Sequence, residues 1–243
     1  MTGRVHVVVG SPWRDAVVKH LEPRSTYRPW PHVPDVREGD GVLVVFDTAP
    51  RLALTQLARV GADRDVEAAI AALHREWLFT NAVHLSRFGV EITGRYAVID
   101  DSSRLAHAVE EHRFNAPRED KFGHSSMAAA RVLLESDGRC TGCAAVLDLV
   151  SSIPAVRTVD SPEDWPAVLC AACRTAMHDS GFTTFLDYRF SLHPACPRCE
   201  ACRTQGISFG MPVAMDETAP WVNQRGCCVT DEEWVCSRCH HEW

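Results

Sequence analysis

The stretch LCAACRTAMH, residues 169–178, holds a Cys-x-x-Cys pair at its start and continues with residues of helical composition. A second pair lies upstream in DGRCTGC, residues 137–143. Two residues between thiolates allow one turn to present both sulfurs to the same tetrahedral ion. The pattern C-x2-C-x26-C-x2-C therefore predicts a first zinc site, with the ligands Cys140, Cys143, Cys170 and Cys173.

A second pattern of the same kind, C-x2-C-x36-C-x2-C, closes the chain in HPACPRCEAC (193–202) and WVCSRCHHEW (234–243). Its predicted zinc ligands are Cys196, Cys199, Cys236 and Cys239. These paired knuckles, each heading a β-hairpin, resemble a zinc ribbon, which is too small to fold without its metal. Two alternatives stay open for the three further cysteines, Cys202, Cys227 and Cys228. All three are free thiols, or Cys227 or Cys228 replaces one of the four expected ligands. Three histidines are less favoured as ligands, since four cysteines already close the site: His193, His240 and His241.

The distribution of all 11 cysteines favours metal binding over disulfide bonds, because every one of them lies at or after Cys140. The start of the chain, MTGRVHVVVG, has an apolar run too short for a signal peptide or for crossing a bilayer. We therefore expect a cytoplasmic protein with two structural Zn²⁺ ions and no membrane contact.

Charge separates the two ends of the chain, whose net value is −7. Residues 1–121 include 16 basic and 17 acidic side chains, which gives a net charge of −1. Residues 122–243 include 9 basic and 15 acidic side chains, which gives a net charge of −6. Eight zinc-bound thiolates around two ions would add about −4 to the second part. An acidic zinc region is poorly suited to phosphate contacts, so any nucleic-acid affinity is expected in the first part.

The first 115 residues predict an α+β domain. The predicted strands and helices are listed in chain order: strand 4–9, helix 11–21, strand 37–47, helix 65–79, strand 95–100 and helix 101–114. Ser11 is the expected cap of the first helix, with Pro12 at its first position. Residues 51–60 fit a strand or a helix. A linker is expected at 115–126, and a helix at 125–136 leads into Cys140.

The order strand, helix, then EGDGVLVVF (38–46) resembles the small β-barrels of the PUA-like superfamily, including EVE and ASCH domains. The resemblance implies a pocket that reads an unusual or modified base flipped from a duplex. Candidate stacking and phosphate-binding residues cluster in one loop-rich region: Trp13, Arg14, Arg24, Tyr27, Arg28 and Trp30. The alternative is that Trp13 belongs to the core and the arginines are only solvated.

The segments DGRCTGC and LCAACRTAMH resemble the treble clef of HNH endonucleases, which implies a module at residues 116–190. Such a site needs a His on the intervening strand to activate water, and ligands for a divalent ion. No His lies between Cys143 and Cys170, where the strand reads VLDLV (146–150). Asp148 and His178 remain as catalytic candidates with Mg²⁺ or Mn²⁺, and weak or absent cleavage is expected.

Arg174 stands at the position after the second Cys of the pair, where the family carries His or Asn. An arginine keeps its charge and cannot coordinate a metal ion. Its guanidinium is expected either to bind a phosphate or to pair with Asp148, Glu163 or Asp164.

Three modules are therefore expected: an α+β domain at 1–115, an HNH-like treble clef at 116–190 and a zinc ribbon at 191–243. The arrangement resembles modification-dependent HNH restriction endonucleases, which implies DNA binding, including that of modified DNA, in restriction or genome defence. The alternative function is a non-catalytic zinc protein that has a structural role or binds another protein or itself.

Overall fold

The computed structural model describes eight stretches of the chain: residues 3–73, 82–100, 102–115, 125–149, 154–158, 164–210, 218–227 and 229–243. Contacts divide the chain into two compact units. The first unit comprises Met1–Pro162 and Pro166–Ala172, and the second comprises Glu163–Trp165 and Cys173–Trp243. This division does not follow the boundaries expected at residues 115 and 190. Most of the expected linker, residues 116–124, lies outside the described residues.

A mixed five-stranded sheet forms the centre of the first unit, in the order β4-β3-β2-β1-β5. Its strands are β1 Val5–Gly10, β2 Gly41–Phe46, β3 Leu52–Arg59, β4 Val83–His84 and β5 Tyr96–Ile99. β1 and β2 are parallel, and all other neighbours are antiparallel. Every residue of β1 and β2 is buried, as expected for central strands that are covered on both faces.

Among the described residues, four helices and a 3-10 turn at Leu85–Phe88 accompany this sheet. The helices are α1 Trp13–Leu21, α2 Val66–Ala71, α3 Ser103–Asn115 and α4 Ser126–Glu135. Helix α3 contacts β3 and the 3-10 turn, and α4 contacts α1. Helix α4 also contacts the strands Ala155–Arg157 and Ala167–Leu169, which fall in the first unit as well. The α3 side of the sheet buries one aliphatic cluster, which includes Val7, Leu43, Val45, Leu105 and Val109.

Several local expectations are confirmed or corrected in this unit. Residues 51–60 contain a strand, β3, and no helix. Ser11 is not the cap of α1: its N–H donates to the Pro29 carbonyl at 3.1 Å, and Pro12 is the residue before the first turn. The helix expected at 65–79 is present as α2 but is shorter, since it ends at Ala71; positions 74–79 lie outside the described part. In the part of the chain that the structure describes, β4 and β5 are the edge strands of this sheet, and no pairing joins them.

The segment between the first two cysteine pairs forms a short hairpin, β6 Ala155–Arg157 with β7 Ala167–Leu169. The strand expected at VLDLV is replaced by a single bridge between Arg139 and Val146; Val150 lies outside the described residues. Helix α5, Ala171–Asp179, follows β7 directly.

The second unit adds a helix and a small sheet: α6 Phe185–Ser191, β8 Thr204–Phe209, β9 Val222–Arg225 and β10 Trp234–Cys236. The strand order is β10-β8-β9, with β8 and β9 parallel. Parallel neighbours cannot form a hairpin, so the expectation that each knuckle heads a hairpin is wrong for β8 and β9. Phe185 is fully buried and meets Trp221 edge to face, with ring centroids 5.6 Å apart.

Candidate metal centres

Two groups of four cysteines bring their sulfur atoms together in the described part of the chain. Centre 1 contains Cys140, Cys143, Cys170 and Cys173. Centre 2 contains Cys196, Cys199, Cys236 and Cys239. Within each centre all Sγ atoms lie within 4.8 Å of one another. These are the eight cysteines that the spacing singled out, and each group could hold one metal ion.

The sulfur separations match those of a tetrahedral zinc site. In centre 1, Sγ of Cys143 lies 3.8 Å from Sγ of Cys170. In centre 2 the corresponding distances are 3.7 Å for Cys196 to Cys239 and 3.6 Å for Cys199 to Cys236. Sulfurs about 2.3 Å from a tetrahedral ion are about 3.8 Å apart. All of these sulfurs are free of disulfide bonds, so the donor set fits zinc.

Three of the four knuckles share one backbone arrangement. The fourth residue after the first cysteine takes a left-handed conformation, with φ of 59° at Ala144, 57° at Glu200 and 54° at His240. Its N–H donates to the carbonyl of that first cysteine at 2.8, 2.9 and 3.0 Å, respectively. The turn therefore closes on itself and points both sulfurs to one side, although none of these positions is a glycine, the residue that adopts positive φ most easily.

The first knuckle of centre 1 is fixed to strand β7. The N–H of Thr141 donates to the Val168 carbonyl at 2.8 Å, and the N–H of Val168 donates to Oγ1 of Thr141 at 3.0 Å. The N–H of Cys170 then points at Sγ of Cys140, 3.3 Å away. Burial raises the pKa of the Cys140 thiol, but N–H donors led by that of Cys170 outweigh it and lower the pKa to about 7. This sulfur is thereby prepared for metal binding as a thiolate.

In centre 2 the thiols differ in pKa, because a negative charge on one sulfur disfavours a negative charge on its neighbours. The N–H of Cys239 is the largest influence on Cys236 and helps to lower the pKa of that thiol to about 6. The pKa of Cys199 is also lowered by its largest influence, the Ala201 N–H, but burial and the neighbouring sulfurs outweigh this and raise it to about 12. One thiolate thus disfavours a second one nearby, and a divalent cation removes that conflict.

The remaining candidates for metal ligands stay outside both groups. Cys202 and Cys227 are exposed and lie outside the sulfur group of centre 2, so Cys227 does not replace one of its four ligands; Cys228 lies outside the described residues. Nδ1 of His193 lies 2.6 Å from the Thr204 carbonyl, and its ring meets Trp234 at 4.7 Å. His193 therefore has a packing role beside β8 and β10.

The two catalytic candidates belong to neither group, and no third cluster of His, Cys, Asp or Glu with metal-binding spacing occurs in the described residues. Asp148 is exposed and lines a cavity of about 240 Å³ together with Glu22 and Asp137. His178 is 89% exposed, and its Nδ1 lies 3.2 Å from Oδ1 of Asp179. Their catalytic role stays a prediction.

Arg174 is exposed on α5. Of its expected partners, Asp164 is buried, and its Oδ1 accepts the N–H groups of Trp165 at 2.7 Å and Leu186 at 2.9 Å. The carboxylate of Asp164 therefore accepts hydrogen bonds from backbone N–H groups. Glu163 lies outside the described residues.

The candidate base-reading residues differ in how far their side chains are exposed to solvent. The guanidinium of Arg14 lies over the ring of Trp13, with 5.3 Å between Cζ and the ring centroid. Arg24 and Arg28 are exposed, whereas Trp13 and Tyr27 are half-buried.

Trp30 has a different position. It is 8% exposed, and its ring centroid lies 6.3 Å from that of Phe46. Trp30 is thus a core residue of the first unit, and its expected stacking role is corrected on this ground.

One cation near centre 1 was not foreseen from the sequence. Arg189, on α6, is half-buried, and its Cζ lies 5.6 Å from the ring centroid of Trp221. Burial lowers the pKa of its guanidinium, while the negative charge of the Cys173 thiolate acts in the opposite direction. The Arg189 guanidinium therefore lies within electrostatic range of Cys173, one of the four cysteines of centre 1. No spacing rule identifies such a residue, because α6 itself was not expected.

No helix among the described residues has the length and apolar character needed to cross a bilayer. Comparisons with protein-family models, with curated proteins and with solved structures give no match for this chain.

Proposed function

We propose that this chain is a zinc-stabilised nucleic-acid-binding protein whose contact surface is the arginine segment, defined as residues 13–28. One observation carries the proposal: Arg14 stacks on Trp13, while Arg24 and Arg28 are exposed on the same stretch of chain. Guanidinium groups contact phosphates, and aromatic rings beside them stack on bases.

Side-chain hydrogen bonds hold the backbone on both sides of the arginine segment and within it, so this backbone needs little ordering on binding. Arg95 donates to the carbonyls of Val9 at 3.4 Å and Ser11 at 3.3 Å, and also to that of Pro29. Within the segment, Nζ of Lys19 donates to the carbonyls of Pro23 at 2.8 Å and Ser25 at 2.9 Å. Less conformational entropy is lost when a preorganised surface binds.

The substrate class follows from the resemblance to PUA-like domains and from the half-buried rings of Trp13 and Tyr27. An aromatic ring held at a surface can stack on a base that has left the duplex. The proposed ligand is therefore DNA, including modified DNA, in a restriction or genome-defence setting. The HNH-like module would act mainly as a scaffold, with weak cleavage at most through Asp148, His178 and Mg²⁺ or Mn²⁺.

A salt-dependent binding titration tests the proposal. Fluorescence anisotropy with plain and modified duplexes at about 50 mM and about 200 mM salt should show weaker binding at higher salt, because phosphate contacts release counterions. Replacing Arg14, Arg24 and Arg28 together with Gln should reduce the slope of log K against log salt by about 2 to 3.

A matched control carries Gln at three other exposed arginines, Arg64, Arg104 and Arg238, and removes the same net charge. If the control weakens binding as much as the test variant, the arginine segment is not the contact surface. If wild type binds no duplex even at low salt, the nucleic-acid proposal is wrong.

A protein-interaction function is the second candidate, and it is favoured by the balance of −6 in residues 122–243. Such a surface repels phosphates and suits a basic partner or a basic patch of another copy. Light scattering coupled to size exclusion would detect self-association. Absence of DNA binding together with a concentration-dependent mass would support this candidate over the first.

A further inference from the structure

An open cavity of about 240 Å³ lies in the first unit, beside the first knuckle of centre 1. Its lining side chains fall into two chemical classes, aliphatic groups and carboxylates. We call it the acidic groove, and its side chains are Leu21, Val146, Leu147 and Leu149 in the first class and Glu22, Asp137 and Asp148 in the second.

Val146 gives the acidic groove an apolar surface that solvent reaches, since 76% of this residue is exposed. Its backbone is held in place, because Val146 forms a bridge with Arg139 and the N–H of Leu147 donates to the Gly138 carbonyl at 2.7 Å. An exposed apolar side chain on an ordered backbone can pack against the methylene stem of a long, charged side chain from a partner.

The electrostatics of the acidic groove favour a cation. Three carboxylates line it, and among the described lining residues there is no basic side chain. Helix α1 ends there at Leu21, and α4 ends at Glu135, just before Asp137. The carbonyl ends of helices also favour a nearby positive charge. Lys19, in the last turn of α1, does not line the groove; its Nζ donates to the carbonyls of Pro23 at 2.8 Å and Ser25 at 2.9 Å.

The spacing of the three carboxylates distinguishes between kinds of cation. Glu22, Asp137 and Asp148 are not among the groups of metal-binding atoms that lie within 4.8 Å of one another in the described residues. A single divalent ion is therefore disfavoured. A guanidinium carries five N–H donors in a planar fork and can reach separate carboxylates. Sites for small organic molecules begin at about 300 Å³, so the smaller acidic groove suits one side chain.

We propose that the acidic groove binds an arginine side chain in a basic segment of a partner protein. The methylene stem would pack on Val146, and the guanidinium would pair with Asp137 and the neighbouring carboxylates. The proposal rests on the protein-interaction function, the second candidate above, and gives it a location. Although Leu21 and Glu22 belong to the arginine segment, none of the arginines assigned to DNA contact lines the groove.

The test uses the full zinc-bound chain and a fluorescent peptide in which arginine alternates with glycine and serine. The same peptide with citrulline, the uncharged analogue of arginine, is the control ligand. Anisotropy should show a sub-millimolar Kd for the arginine peptide and binding about tenfold weaker for the citrulline peptide. Asp137→Asn should weaken arginine-peptide binding about tenfold. Asparagine tolerates the left-handed backbone at this position, where φ is 47°. Asp231→Asn, exposed and outside the groove, should leave it unchanged.

A second pair of variants separates the groove from the overall charge of the protein. Val146→Lys should weaken arginine-peptide binding about tenfold, because it places an ammonium group beside the carboxylates. Val229→Lys adds the same charge at a residue that is also 76% exposed, and it should have no effect. Circular dichroism and zinc content confirm that each variant is folded.

Three results would overturn the proposal: no binding at millimolar peptide, equal binding of the arginine and citrulline peptides, or equal weakening by Val146→Lys and Val229→Lys. The DNA titration and the mass measurement by light scattering use neither peptide. A failure of the acidic groove is therefore distinguishable from a failure of either candidate function.

Discussion

Nε2 of His6 lies 2.9 Å from Oδ2 of Asp40 in the interior of the first unit. His6 is fully buried, and its other ring nitrogen lies 2.9 Å from the hydroxyl of Tyr96. Asp40 also accepts the N–H of Arg37 at 2.9 Å and pairs with Arg4 at 3.2 Å. A single carboxylate therefore joins β1 to the turn that precedes β2, and Tyr96 extends the network to β5.

The first prediction concerns the charge of Asp40. Burial raises the pKa of its carboxyl group, but the bonds from His6 and the Arg37 N–H and the charge of Arg4 outweigh this, so that the pKa is lowered from 3.8. A lowered pKa means that the stabilisation is present above pH 3.8 and is lost as pH falls through the folded-state value. Asp40→Asn should therefore lower the free energy of unfolding by about 3 kcal/mol near neutral pH.

Chemical denaturation of wild type and Asp40→Asn at a series of pH values measures this difference. The gap between the two proteins should narrow as pH falls below 3.8, because the wild-type carboxylate becomes protonated. Asp231→Asn, at an exposed position, controls for the loss of one acidic group. A gap that stays constant with pH would show that Asp40 acts only through its shape.

The second prediction follows from the close approach of Trp30 to the end of β1. A Cβ atom on Gly10 would overlap the Cβ of Ala16 and ring carbon Cζ3 of Trp30, and would lie 2.9 Å from Cε3 of the same ring. Gly10→Ala should therefore lower the free energy of unfolding by about 1 to 3 kcal/mol. Thermal unfolding would show this against Gly226→Ala, where no heavy atom lies within 4 Å of the new Cβ. Equal melting temperatures for the two variants would contradict the close packing.

The features that could be predicted from the sequence are those encoded by local spacing. Cys140 and Cys143 share one turn, and that turn is sufficient to define half of a metal site. The burial of Trp30 depends instead on Gly10 and Phe46, which approach it only after the sheet has formed. His6 and Asp40 are 34 residues apart, and strand alternation gives no sign of their contact.

The second unit also contains features that local sequence spacing does not predict. The parallel pairing of β8 with β9 and the seven-residue helix α6 have no signature that distinguishes them from loop and hairpin. The left-handed closure of three knuckles at Ala144, Glu200 and His240, none of them glycine, could not be predicted either, because metal binding can stabilise a backbone conformation that local propensity disfavours.

The third prediction uses that backbone conformation. Ala144 has φ of 59°, a region that costs a residue with a Cβ about 1 kcal/mol. Ala144→Gly should remove this cost and tighten zinc binding at centre 1 by up to about fivefold. Competition with a chromophoric chelator measures the affinity. Ala145→Gly is the control: its φ is not positive, and its carbonyl still accepts the Cys140 N–H. A gain of the same size in the control would exclude backbone strain as the cause.

The fourth prediction is that the two centres hold zinc independently. Protein purified without chelator should contain two zinc ions per chain by elemental analysis. Cys236→Ser should reduce this to one, as should Cys170→Ser, which should also unfold the region around residues 140–178 because site formation and local folding are coupled. Cys202→Ser should keep both ions, since Cys202 is exposed and outside the two groups. One zinc or none in wild type would refute the double assignment.

The last prediction is that nuclease activity is weak or absent. No His lies between Cys143 and Cys170, so water activation would fall to Asp148, and a carboxylate is a much weaker base than imidazole near neutral pH. Purified protein incubated with plasmid and with modified phage DNA, in Mg²⁺ and in Mn²⁺, should cleave slowly or not at all. Robust cleavage lost in both Asp148→Ala and His178→Ala would restore the enzyme hypothesis. Cleavage that survives both changes would place the chemistry at other residues or in a contaminant. DNA binding without cleavage would leave LCAACRTAMH as a zinc scaffold, with Arg174 where a catalytic ligand stands in the HNH family.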